Sequence, residues 1–202
     1  MIFTVNKPLL LFLSLTFIAV TVIGTVSHEG GHYIAAKIMG IDAHIHYAMT
    51  SLSGEQLMSD RQEFWLILAG PLQTMLTGTI GLFFLRKSSK PSTRLSTGQW
   101  AWVFLTLFWL RQLANFVVAI GTYLITGTIG ENGDEIRLSK YLNWPEWSIA
   151  AVTAVIGFTV LVFVLFKVIP KPLRFTFMLS GLIGGISGYL LWIVYFGKFI
   201  LP

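Results

Sequence analysis

Cysteine is absent from this chain. That excludes a disulfide framework and any metal site built on thiolates, so a metal here has to be held by histidine and carboxylate. Charge is scarce as well. Asp, Glu, Lys and Arg make up 11% of the 202 residues, against about 25% in a soluble domain. With 54% hydrophobic residues and a mean hydropathy of +0.73, the composition is that of an integral membrane protein. Four histidines are too few for a histidine-box oxidase. The 14 basic residues outnumber the 9 acidic ones, yet they sit mostly in short loops between apolar runs. There they set topology and leave no footprint for nucleic acid. Low-complexity tracts, a soluble domain and convincing internal repeats are also missing.

What is present is a series of apolar runs, each matched to the roughly 20 residues that cross a bilayer core as helix. Five spans are expected, over Leu9–Met39, Phe64–Leu85, Gln99–Ile125, Ser148–Ile169 and Leu173–Phe199. Pro170 and Pro172 punctuate a tight turn between the last two. The fold class is therefore all-α and polytopic, a single membrane domain over 1–202 with a core at about 9–142 and accessory helices at about 148–200. Lys7 before an apolar run resembles the start of a signal peptide. No small-x-small cleavage site precedes the next motif, so the segment reads as a retained helix.

The first run leads directly into His28-Glu29-Gly30-Gly31-His32. Imidazoles four residues apart project from one helix face, about 5–6 Å apart at Cβ, close enough to share one tetrahedral zinc. Glu29 lies roughly 100° further round the helix, where its carboxylate reaches a water beside the metal rather than the metal itself. That water is the nucleophile for amide hydrolysis and the carboxylate is the base that takes its proton. Two imidazoles and a carboxylate in a membrane helix are costly without a task. Gly30 and Gly31 each cost about 1 kcal/mol relative to Ala in a helix, and permit close approach at the site or tight helix packing.

From Ile41 to Thr50 apolar residues alternate with mostly polar ones, a period of two that predicts a strand, with a turn over Ser51–Gly54. A short membrane-associated β hairpin after the first span is thus expected. Its edge would take an extended peptide at Ile45, Tyr47 and Met49, or would simply be a half-buried loop. His44 and His46 point the same way on that strand, as polar-face residues or further metal contacts. The second span contains Leu68-Ala69-Gly70-Pro71, which reads as a kink or a close backbone approach. The third carries Arg111, Gln112 and Asn115 within about one turn, lining a polar cavity or pairing with a neighbouring helix. Asn115 is taken as a substrate-binding candidate. Gly130 to Glu135 follows, then a short amphipathic piece, Ile136–Leu142.

These elements together resemble the site-2 protease family of intramembrane zinc metallopeptidases. The resemblance rests on His28-Glu29-Gly30-Gly31-His32 with Ala35-Ala36 and Gly40-Ile41, then Ala69-Gly70-Pro71, then Gly133-Asp134, in the family's order over roughly residues 20 to 142. It implies Zn2+ bound by His28, His32 and Asp134, with Glu29 as catalytic base, and single-span membrane proteins as substrates cleaved within the cell membrane. The chain departs from the family pattern where an Asn-x-x-Pro element is expected, where Glu135 rather than Gly follows Asp134, and where Gln73 stands in place of Asn. There is no room for PDZ or nucleotide-sensing domains, so a minimal catalytic core is expected. Two rival readings stay open. One is a non-proteolytic scaffold keeping the fold. The other is a prenyl-protease type of metallopeptidase, taking Glu131 or Glu135 as third ligand.

Charge also predicts sidedness. Lys7, Arg86, Lys87, Lys90, Arg94, Lys167, Lys171 and Arg174 fall on one face of a five-span protein, which the positive-inside rule makes cytoplasmic. Every acidic residue except Glu29 falls at the other face, as do the metal motif, the Gly-Pro element and Asp134. The charge pattern opens the site away from the cytoplasm, whereas the family resemblance implies a site nearer to it.

Overall fold

The computed structural model describes residues 5–53, 58–88, 94–128, 130 and 133–202. Gly54, Glu55, Lys90 and Glu131 lie outside the described residues. Among those described, five helices are long and apolar enough to cross a membrane: Lys7–Ile38, Asp60–Ser88, Thr97–Thr126, Ser148–Val168 and Lys171–Ile200. The first is α1 (Lys7–Ile38) and the second α2 (Asp60–Ser88). The third is α3 (Thr97–Thr106) and α4 (Leu110–Thr126), joined by a 3-10 turn at Leu107–Trp109. A short helix α5 (Asp134–Tyr141) precedes α6 (Ser148–Phe163), which runs into a π-helical turn at Val164–Val168. The last span contains α7 (Arg174–Tyr189), a π-helical stretch at Leu190–Phe196 and α8 (Gly197–Ile200).

Local sequence explains where these helices start and stop. The Asn6 side chain accepts from the Leu9 amide at 3.1 Å, and Pro8 in the first turn has no amide to leave unpaired. At the other end of α1, Gly40 takes a φ of +73°, the left-handed conformation that closes a helix. Ser96 and Gln99 form a reciprocal capping box at the start of α3. The Gln99 amide also donates to the Ser88 carbonyl at 3.0 Å, tying the end of the second span to the start of the third.

Where lipid tails surround the spans, helices associate through close packing rather than through exclusion of water. The largest buried cluster lies towards the end of the bundle at which α1 begins, and includes Leu13, Phe17, Leu85, Val103 and Phe177. Phe17 meets Phe104 edge-on at 5.0 Å and lies 5.5 Å from Phe177. Lys7, Arg86 and Arg174 are at this end too. The Asn6 amide donates to Thr176 Oγ1 at 3.1 Å, and the Arg86 guanidinium stands 5.5 Å from the Phe163 ring. The opposite end holds the polar cavity described below.

The hairpin after α1 is present, but its strands are shorter than the alternation suggests. β1 (Ala43–Ile45) pairs antiparallel with β2 (Thr50–Leu52) in the register Ala43↔Leu52, His44↔Ser51, Ile45↔Thr50. The turn falls at His46–Met49, closed by the His46 amide donating to the Met49 carbonyl at 2.8 Å, and not at Ser51–Gly54. The reason is tertiary. The Tyr47 amide donates to the Leu201 carbonyl at 2.9 Å, and the Tyr47 carbonyl accepts from the Trp192 indole. The last span thus draws the backbone out of the ladder at a point where side-chain alternation still reads as strand.

Candidate metal centre and active-site cavity

His28 and His32 lie on successive turns of α1, both buried, with ring centroids 4.9 Å apart and planes at 80°. α2 passes against this face because two glycines let the backbones approach. A Cβ on Gly31 would stand 2.7 Å from the Ala69 carbonyl oxygen, and one on Gly70 would stand 2.2 Å from His32 Nε2. A Cβ on Gly30 would meet no other described element within 4 Å, so close approach belongs to Gly31 alone of that pair. Pro71 does not interrupt α2. The element places Gly70 directly beneath the imidazoles.

The contact with α2 also fixes the tautomers. His32 Nδ1 lies 2.7 Å from the Leu66 carbonyl oxygen, which can only accept, so Nδ1 carries the proton. His28 Nδ1 lies 3.0 Å from Thr74 Oγ1, and that hydroxyl donates its own proton to the Gly70 carbonyl at 3.1 Å. In the neutral state, both Nε2 atoms therefore present lone pairs. Asp134 meets them from α5. Gly133 caps that short helix, Ile136 and Leu138 bury its apolar face, and Asp134 occupies its first turn. Its Oδ2 lies 3.0 Å from His28 Nε2 and 3.3 Å from His32 Nε2, and the two Nε2 atoms are 3.3 Å apart.

Three acceptor atoms converging at such separations need a cation between them. Ligands about 2.0 Å from a tetrahedral zinc stand about 3.3 Å from one another, so the donor set and its spacing fit that ion. His28, His32 and Asp134 are a group among the described residues that could hold a metal. Burial pushes the Asp134 carboxyl up, but the His28 and His32 imidazoles, which when protonated donate to it through Nε2, outweigh burial and hold the group well below the usual carboxylate range. Burial pushes the neighbouring Glu135 carboxyl up, and its Oε1 has no hydrogen-bond partner among the described residues. The group contains Asp134 and not Glu135.

The site opens into a cavity of about 930 Å³. Glu29, Thr50, Arg111, Asn115, Glu135 and Tyr189 are among its lining residues. Glu29 is buried, and the Thr50 hydroxyl lies 3.2 Å from its Oε2 and 2.9 Å from its backbone carbonyl. Arg111 Nη2 stands 3.9 Å from Glu29 Oε1. Three residues in 3-10 rather than α geometry add about 60° of rotation, so the turn at Leu107–Trp109 sets the bearing of Arg111 and Asn115 relative to α3.

Of the residues expected to meet substrate, Met49 and Asn115 line the cavity. Ile45 lies in β1, while Tyr47 turns towards Trp192 and Gly197; neither lines the cavity. His44 is exposed, and His46 bonds Ser51 Oγ at 2.7 Å and the Pro202 carbonyl. Neither belongs to the metal group. Thr74 and Thr50 were not singled out in the sequence. A hydroxyl four residues after Gly70 in an apolar span is a signal for Thr74, whereas Thr50 has none before the hairpin is folded.

No curated protein and no solved structure matches the chain. Residues 2–135, about two-thirds of the sequence and including His28, Glu29, His32 and Asp134, match the Peptidase M50B-like family. The chain belongs to that family and is, with its five apolar helices, a multi-pass membrane metallopeptidase of the site-2 protease group.

Proposed function

We propose that the protein is an intramembrane zinc endopeptidase, cleaving peptide bonds within or near the transmembrane segments of single-span proteins in the cell membrane. One observation carries this reading: two imidazole lone pairs and a carboxylate oxygen meet at 3.0–3.3 Å beside a buried glutamate that is not part of the group. His28, His32 and Asp134 would hold zinc. When bound, zinc supplies Lewis acidity, raising the acidity of water and polarising the scissile carbonyl.

The chain's own groups do the rest. Glu29, oriented by the Thr50 hydroxyl, accepts a proton from a water in the cavity as the water oxygen attacks the carbonyl carbon. It then returns that proton to the amide nitrogen as the C–N bond breaks. The substrate stretch must be unwound, because a helix hides its peptide bonds behind its side chains. Met49 and Asn115, which line the cavity, are the candidates to receive it. Thr74 and the Leu66 carbonyl keep the imidazoles in the ligand tautomer throughout.

The test is cleavage of a single-span reporter in liposomes by purified wild type and Glu29→Gln, with zinc measured in both. Glu29→Gln is expected to keep stoichiometric zinc and to lose hydrolysis. Near wild-type cleavage by that variant would remove Glu29 from its role. A wild type that holds zinc but cleaves no reporter would favour the scaffold reading.

A further inference from the structure

Arg111 stands in the third span, where a guanidinium is costly unless it has a task. Among the described residues its one ion-pair distance is 3.9 Å, from Nη2 to Glu29 Oε1, and its buried Nε has no hydrogen-bond partner. Gln112, the next residue, is 1% exposed and has neither amide atom paired among the described residues. Both line the catalytic cavity. This wall therefore holds polar groups that the other described residues leave unsatisfied, at a cost of about 1–3 kcal/mol for each buried unpaired group. Arg137 also lines the cavity, but its guanidinium is committed to Glu63 at 2.9 Å.

We propose that Arg111 is a catalytic residue that donates hydrogen bonds to the oxyanion formed from the scissile carbonyl. The inference rests on the peptidase reading above. As the water oxygen bonds to the carbonyl carbon, the carbonyl π pair moves onto its oxygen and the water proton passes to Glu29. Negative charge thus leaves Glu29 and appears on the substrate oxygen. The guanidinium that faced the carboxylate in the resting site loses that partner at the moment the oxyanion needs one. Five N–H donors in a rigid fork allow it to keep one edge towards Glu29 while another turns to the oxyanion. Collapse of the tetrahedral species returns the pair to the carbonyl, breaks the C–N bond and sends the proton from Glu29 to the departing nitrogen. Arg111 is unchanged at the end. With its side chain 26% exposed, the guanidinium is largely withdrawn from solvent, and a donor so placed acts more strongly than it would in bulk water.

The experiment compares wild type, Arg111→Met and Arg111→Lys for zinc content, thermal unfolding and reporter cleavage. It adds the affinity of a phosphinic analogue of the cleaved sequence, whose tetrahedral oxygens mimic the oxyanion. Arg111→Met is expected to keep zinc and to lower kcat about 100-fold with little change in KM. It is expected to weaken the phosphinic peptide by a similar factor, and to do so in a Glu29→Gln background as well, where orienting Glu29 cannot be the cause. Arg111→Lys should recover part of both. Three results overturn the inference: kcat within about threefold of wild type, loss of zinc in both variants, or unchanged phosphinic-peptide affinity in the Glu29→Gln background. Failure of the peptidase reading shows differently, as a wild type that cleaves nothing, and that result sinks the inference with it.

Discussion

The indole Nε1 of Trp192 donates to the backbone carbonyl of Tyr47 at 2.7 Å. Trp192 is buried within the π-helical stretch of the last span, and Tyr47 is in the hairpin turn. Three residues further on, Thr50 holds Glu29. The last span lies outside the part of the chain that matches the family, yet it bonds the turn that leads to Thr50 and so to the proposed base, Glu29. Trp192→Phe keeps most of the packing and deletes the donor. At about 1 kcal/mol for the lost bond, reporter cleavage is expected to fall about fivefold with zinc content unchanged. Unaltered cleavage would mean that Thr50 holds Glu29 without help from the last span.

The metal group makes a sharp distinction between two adjacent carboxylates. Asp134→Ala should abolish zinc binding, whereas Glu135→Gln, which keeps volume in a buried position, should retain it. Metal analysis of the purified variants decides the matter. The opposite pattern would transfer the third ligand to Glu135 and favour the prenyl-protease reading.

Two glycines of one span pair have opposite expected tolerance. Gly70→Ala puts a methyl group where the imidazole nitrogens lie, 2.2 Å from His32 Nε2 and 2.7 Å from His28 Nε2. It is expected to lose zinc and activity together. Gly30→Ala meets nothing within 4 Å and should stabilise α1 by up to about 1 kcal/mol. Thermal unfolding with and without a chelator reads both effects, and a zinc-replete Gly70→Ala would contradict the close approach of α2.

Sidedness is open to a labelling test at described positions. Single cysteines at Lys171, beside the basic end, and at Thr128, beside the cavity end, can be probed in intact cells with an impermeant thiol reagent. The charge asymmetry predicts labelling at Thr128 and protection at Lys171. The reverse would place the cavity on the cytoplasmic side, with the internal arrangement unchanged.

Much of this was legible along the chain, because the bilayer imposes one-dimensional rules. A span must be apolar for about 20 residues and must satisfy its own backbone, so five helices, their order and the amino-terminal half of the site could be read from hydropathy and spacing. The pair His28 and His32 needed no fold beyond a single helix, since four residues bring two side chains to one face. A different kind of information placed everything that meets them. Asp134 is 106 residues from His28, and its choice over Glu135 depends on how Gly133 caps α5 and which side of that helix Ile136 buries. Thr74, the Leu66 carbonyl and Thr50 orient the site only once α2 and the hairpin have packed. The hairpin turn moved to His46–Met49 because the last span supplied hydrogen bonds that compete with the strand ladder. Local pattern reports what a residue would do beside its chain neighbours, whereas the candidate metal group and its cavity are made by side chains from α1, the hairpin, α2, α4, α5 and the last span, whose meeting is decided by packing.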